Sequence, residues 1–112
     1  MTETAELPAN ISAYLTARQN SDPAGALAAF TDDATVIDEG NTYRGPGQIH
    51  HWLRRSGSEY SYTIELTGTR RIDEDHWAAT HHLEGNFPGG VVDLTFTFTL
   101  RDGKIHHLLI AP

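Results

Sequence analysis

Three side chains in this sequence of 112 residues have types and settings that suit proton chemistry: Tyr14, Asp38 and His81. In ISAYLTARQ, Ile11, Tyr14 and Leu15 fall at i, i+3 and i+4, so the phenol turns toward whatever that helix covers. A buried phenol needs a hydrogen-bond partner; the plainer alternative is a core tyrosine whose hydroxyl reaches a carbonyl or the surface. In DATVID, Ala34, Val36 and Asp38 share one face by period-two alternation. A carboxylate in register with apolar neighbours is costly to bury while ionised. Asp38 is therefore either an exposed strand end opening the Glu39-Gly40-Asn41 turn, or a general acid or base whose pKa apolar surroundings raise. His81 lies between Ala79 and Leu83 on the inward face of a later strand, where a neutral imidazole can donate, accept or shuttle a proton, or simply be a satisfied core residue.

The elements that must position these groups follow from periodicity. A first helix runs from Pro8 to about Gln19 or Asn20. Asp22-Pro23 caps a short second helix carrying Leu27 and Phe30, and a first strand covers 34–38. Gly45-Pro46 opens a third helix with Ile49, Trp52 and Leu53 on one stripe, ending near Gly57. From Glu59 the period becomes two. Tyr60, Tyr62, Ile64 and Leu66 alternate with polar residues, and Gly68 marks a bulge in a strand reaching Ile72. Asp73-Glu74-Asp75 is a turn; Trp77, Ala79, His81 and Leu83 share a face; Val92, Leu94, Phe96, Phe98 and Leu100 form the clearest alternation. Asp102-Gly103 is a hairpin signal, and Ile105–Ala111 returns as the last strand. Helices first and antiparallel strands afterwards read as α+β. Trp52, Tyr60, Tyr62 and Trp77, with Phe96 and Phe98 on the inward row, are core in one reading and the wall of an apolar ligand pocket in the other.

Composition narrows the classes. With 38% hydrophobic and 21% charged residues, the chain reads as one soluble domain over 1–112, with residues 1–6 frayed. A net charge of −7 argues against nucleic acid and anionic membranes. No apolar run is long enough to span a bilayer, MTETAELP does not read as a signal peptide, and the expected location is the cytoplasm. Without cysteine there is no thiol nucleophile, disulfide or thiolate metal site. The pairs His50-His51, His81-His82 and His106-His107 do not make a metal site, because adjacent strand residues point to opposite faces and no helical His-x-x-x-His occurs. Glycine-rich phosphate loops and a nucleophilic triad are likewise absent.

Tyr14, Asp22, Phe30, the run Asp32-Asp33-Ala34-Thr35-Val36 and Asp38 resemble the opening of ketosteroid isomerases, and more broadly the nuclear transport factor 2-like superfamily with its SnoaL-like polyketide cyclases. Tyr43-Arg44-Gly45 before a helix and the closing Asp102-Gly103-Lys104-Ile105 fit the same pattern, so the resemblance spans nearly the whole chain. It implies a cone-shaped, cystatin-like fold: a curved antiparallel sheet with three N-terminal helices closing a pocket. It also implies that Asp38 is the proton-transferring base, as in a worked case of pKa tuning for that family, and that Tyr14 donates to a developing enolate oxygen. Two departures stand out. Glu39 follows Asp38 where the family often has proline. The inward positions Val92, Leu94, Phe96, Phe98 and Leu100 are all apolar, so the family's second donor, a protonated carboxyl on that strand, has no counterpart there.

The leading expectation is a cofactor-independent isomerase, cyclase or dehydratase. It would move a proton on a small apolar carbonyl compound through Asp38, Tyr14 and an assisting His81. The rivals are a non-catalytic protein that binds a hydrophobic molecule, and a dimeric interaction module. In either case a homodimer through the outer sheet face is expected, with Thr95, Thr97, Thr99, His107 and Leu109 side by side.

Overall fold

The structure, a computed structural model, describes residues 7–56 and 61–112. The expected fraying of residues 1–6 and the placement of Tyr60 fall outside the described residues. In chain order come α1 (Ala9–Gln19), α2 (Pro23–Leu27), β1 (Phe30–Asp38), β2 (Asn41–Arg44), α3 (Gly45–Ser56), β3 (Tyr62–Arg71), β4 (His76–Gly85), β5 (Val91–Arg101) and β6 (Lys104–Ala111).

Local chemistry accounts for most boundaries. Pro8 precedes α1, and the Ser12 amide donates to its carbonyl at 3.0 Å. Beyond Asn20 the chain turns at Ser21, whose φ is 53°. The Asp22 carboxylate caps α2 by accepting from the Gly25 amide at 3.0 Å. That helix is shorter than the sequence predicts. It ends at Leu27, and Phe30 opens β1 instead, paired with Ile105. The Ile105 amide donates to the Ala29 carbonyl at 2.9 Å, and pairing with β6 overrides the strong helical preference of Ala28 and Ala29. β2 is also new: four mostly exposed residues whose only partner among the described residues is β1 do not carry a periodicity that reveals a strand.

The six strands form one sheet in the order β2-β1-β6-β5-β4-β3. Every pairing is antiparallel except β1 with β6, which run parallel and make the sheet mixed, where the sequence reading expected antiparallel strands throughout. Side chains paired across neighbouring strands share a face. One row on the concave face therefore reads Tyr43, Val36, Leu108, Phe98, Trp77 and Arg71. The next row reads Asp38, Ile110, Phe96, Ala79 and Thr69, and a third holds Leu94, His81 and Leu66. The expected bulge lies between Leu66 and Gly68, and a second irregularity lies between Thr99 and Leu100. Such insertions increase local twist and curl the sheet into a trough.

α1 and α3 close that trough over its β1–β6 side. Ile11 and Tyr14 of α1 and Ile49, Trp52 and Leu53 of α3 are all buried, against Val36, Phe98, Ile105 and Leu108. The uncovered side differs: Tyr62, Ile64 and Leu94 are only half-buried and Leu66 is exposed.

Both tight hairpins use two successive positive-φ residues, Glu39 (53°) with Gly40 (79°) and Asp102 (53°) with Gly103 (80°). That pattern matches the right-handed twist of the strands and favours Asn-Gly. Proline, locked near −65°, cannot take the conformation of Glu39, which is why this turn departs from the family habit. Glu39→Asn places a residue tolerant of this region at the same position. It is expected to raise stability by about 0.5–1 kcal/mol, read from the urea midpoint at unchanged m-value. An unchanged or lower midpoint would remove strain at Glu39 from the account of this turn.

Candidate active site

Tyr14 is wholly buried in the seam between α1 and the sheet, with its ring edge-on to Phe30 (centroids 5.4 Å apart) and to Phe98 (5.8 Å). Its hydroxyl has no hydrogen-bond partner among the described residues. Burial pushes the phenol up to about 12, with Arg18 working against the rise and the nearby Asp38 and Tyr62 adding to it. Tyr14 is thus a neutral O–H donor across the working pH range, held within electrostatic reach of the Asp38 carboxylate.

Asp38 closes β1 and stands half-buried on the concave face, opposite Asn41 on one side and Ile110 on the other. Its Oδ2 accepts from Trp52 Nε1 at 3.0 Å. Trp52 is held in turn: the Arg18 guanidinium lies 5.1 Å from its ring centroid, and Tyr43 is tilted against it at 6.0 Å. Arg18 itself donates to the Leu53 carbonyl at 3.2 Å. One carboxylate oxygen is therefore fixed by a rigid indole, while no hydrogen bond from a described residue engages the other. That is a sound arrangement for a base that must present a lone pair in one direction.

His81 faces inward as the alternation predicts and is 3% exposed. Its ring packs on Phe96 at 4.4 Å, and its Nδ1 has no partner among the described residues. Burial lowers its pKa, offset in part by a backbone contact at Ala79, so the imidazole is neutral near pH 7. It sits one row away from Asp38 and three strands across the trough, linked to Tyr14 through the ring contacts of Phe96 and Phe98. The structure places Tyr14 and Asp38 within electrostatic reach of each other. It brings His81 to the same face without contact to either.

The aromatic set divides. Phe98 is fully buried and Phe96 nearly so, Tyr62 is half-buried near the open side, and Trp77 stacks under Arg71 with 5.7 Å from guanidinium carbon to ring centroid. Trp77 Nε1 is buried without a partner among the described residues. Two polar features escaped the sequence reading, which took both tryptophans for apolar wall. One is the Trp52 bond to Asp38 and the other is the unpaired Trp77 donor. Each depends on pairings across distant elements that periodicity does not encode.

Outside the trough, His76, His82 and His106 have acidic neighbours. His82 lies between Asp93 (2.6 Å) and Glu84 (2.9 Å), which raise its pKa. Asp33 is held down to about 2 by Arg101, which donates to both its oxygens. Among the described residues, no group of three or more His, Asp or Glu side chains is placed to hold a metal ion. Nor, among them, is any helix long and apolar enough to cross a membrane.

A curled mixed sheet with α1 and α3 packed over one side of its trough defines a cone-shaped, cystatin-like fold. The chain belongs to the SnoaL-like domain family, whose profile matches residues 11–108, and with it to the nuclear transport factor 2-like superfamily. Among solved structures it is similar to a Sinorhizobium meliloti protein named a candidate polyketide cyclase, at 32% identity and TM-score 0.87, covering 94% of this chain and 95% of that one. It shares its fold with a Δ5-3-ketosteroid isomerase from a Mycobacterium species, at 22% identity, TM-score 0.74, and 93% and 90% coverage. A Mycobacterium tuberculosis protein in complex with estradiol-17β-hemisuccinate also shares it, at 20% identity, TM-score 0.78, and 96% and 95% coverage. No curated protein matches the chain.

The buried state of His81 has a consequence for stability. A histidine whose folded pKa lies below its ordinary 6.5 binds protons better when the chain is unfolded. Stability therefore falls as pH drops below about 6.5, until the folded pKa is passed. His81→Gln removes this titration. Its unfolding free energy should decline less steeply between pH 6.5 and 5 than that of the wild type, measured by urea titration at each pH. Parallel slopes for the two proteins would show that His81 is not buried as a neutral ring.

Proposed function

We propose that this protein moves a proton on a small, mostly apolar carbonyl compound without a cofactor, as an isomerase, cyclase or dehydratase does. The observation that carries this reading is the Tyr14 hydroxyl, buried without a partner among the described residues and within electrostatic reach of the fixed Asp38 carboxylate. An unpaired buried donor costs about 1–3 kcal/mol, a cost a fold keeps when a ligand oxygen repays it. In this scheme the free oxygen of Asp38 takes a proton from the carbon alpha to the carbonyl. The C–H electron pair moves into the enolate, and Tyr14 O–H donates to the oxygen on which charge develops. The proton returns from the Asp38 carboxyl to the product carbon. Neutral His81 assists by holding a second polar group of the substrate. Tyr62, Phe96, Phe98 and the ring carbons of Trp52 and Trp77 are the apolar surroundings, and the half-buried residues of β3 and β5 are the way in.

The test needs no knowledge of the natural substrate. 2-Tetralone in D2O exchanges its alpha hydrogens slowly, and mass spectrometry follows the rate. Wild-type protein should accelerate exchange well above buffer; Asp38→Asn should lower the enzymatic rate by about a hundredfold or more, and Tyr14→Phe by about tenfold. Exchange at the wild-type rate in folded Asp38→Asn would place the base elsewhere.

A second reading concerns assembly. Thr97 pairs with Leu109 and Thr99 with His107, so the Thr-rich outer face forms one weakly charged patch, on which Leu109 is 38% exposed. We read this face as the contact of a cytoplasmic homodimer. Sedimentation at micromolar concentration should show a dimer, and Thr97→Lys should shift it to monomer. A monomeric wild type would exclude this assembly.

A further inference from the structure

Arg18 is a charged residue on a buried face. It follows Tyr14 by one turn of α1, in the stripe that Ile11 and Tyr14 begin, and it is half-buried there. Two separate ties engage its guanidinium. It donates to the Leu53 carbonyl of α3 at 3.2 Å, and it lies over the ring of Trp52, the preceding residue of that helix, at 5.1 Å from the centroid. The indole it covers is the one whose Nε1–H donates to Asp38 Oδ2 at 3.0 Å. Contacts thus run in one line from the Leu53 carbonyl through the guanidinium and the indole to the carboxylate. A cation in the last turn of a helix also suits the helix dipole, and that alone would make Arg18 a stabilising residue. The dipole does not account for a guanidinium set over an indole that is itself bonded to a carboxylate. A cation on the ring face draws on its electrons and makes the N–H a stronger donor.

We propose that Arg18 is a positioning residue: it holds the Trp52 indole so that Nε1–H stays on Asp38 Oδ2, and in that way fixes where the other carboxylate oxygen points. This rests on the reading of Asp38 as the proton acceptor and adds what keeps that acceptor aimed. A base must meet its carbon at about 3–3.5 Å with the lone pair aligned. A carboxylate free to turn about its Cβ–Cγ bond therefore loses rate rather than substrate binding. The same cation lies near enough to Tyr14 to oppose the rise that burial gives its phenol, so one side chain serves both members of the pair.

The experiment follows the Trp52 N–H and the exchange of 2-tetralone in the same set of variants. The sequence has two tryptophans, so a 15N-labelled protein gives two indole signals, and the one that survives in Trp77→Phe is that of Trp52. Asp38→Asn, which removes the charged acceptor, should move that signal upfield. Arg18→Met should move it the same way, and Arg18→Lys, which keeps a cation able to sit over the ring, should return it toward the wild-type position. Arg18→Met should also lower the saturating exchange rate about fivefold, with the half-saturating tetralone concentration within about twofold of wild type. In Trp52→Phe, adding Arg18→Met should cost little further rate, because the residue it acts through is gone. If Arg18→Met does not fold, Arg18→Gln set against Arg18→Lys makes the same comparison. An unmoved Trp52 signal, a loss of stability with neither signal nor rate changed, or a full rate loss that persists in Trp52→Phe overturns the proposal. If Asp38→Asn exchanges tetralone as the wild type does, the proton-transfer reading falls, and the Trp52 signal, which needs no turnover, still decides whether Arg18 holds the indole on Asp38.

Discussion

The arrangement depends on the parallel pairing of β1 with β6. Residues from 35 to 38 lie against 107 to 110, which sets Val36 opposite Leu108 and Asp38 opposite Ile110. Because side chains alternate faces, a slip of one residue would turn Asp38 to the outer surface and bring Ile37 into the trough. The register is held from both ends. Ile105 N donates to the Ala29 carbonyl at 2.9 Å below it, and the hairpin at Glu39-Gly40 closes above it. Between these points β1 carries an irregularity that absorbs the mismatch from Phe30 to Thr35. There Asp33 turns outward to Arg101, while Thr31 Oγ1 lies 3.2 Å from His106 Nδ1.

Once that register exists, the polar site assembles from parts that are unremarkable alone. α3 leaves β2 at Gly45 and crosses back over β1, and its stripe of Ile49, Trp52 and Leu53 must be buried there. The same burial delivers the Trp52 N–H to Asp38 and sets Arg18 of α1 against the other side of the indole. The helix pair and the carboxylate are thereby linked, so packing and polar geometry constrain each other.

Much of this was legible in the sequence, and the parts that were not share a cause. The inward faces of β4 and β5, the Gly68 bulge, the Tyr14 stripe and the inward His81 all follow from local periodicity, which is read within one element. The early end of α2 and the parallel β1–β6 ladder depend on partners tens of residues away, and the short, mostly exposed β2 on its hairpin with β1. The Trp52–Asp38 bond likewise joins two elements, between side chains 14 residues apart in sequence. Family resemblance supplied the cone and pointed to Asp38 and Tyr14. It gave no hint that tryptophans from α3 and β4 would supply the other polar atoms of the trough.

The uneven covering of the trough has an evolutionary meaning. On the β1–β6 side each inward residue is locked between sheet and helix, and changing one opens a cavity costing about 2–5 kcal/mol for a large side chain. On the β3–β5 side, Tyr62, Ile64, Leu66 and Leu94 keep contact with solvent, so exchanging one for another apolar residue costs the fold much less. One wall can therefore drift while the other is held. Under the proposed function, a chain built this way can change what it accepts by mutation of the open wall, with Tyr14 and Asp38 undisturbed, and one scaffold can give rise to proteins of many specificities without passing through unstable intermediates.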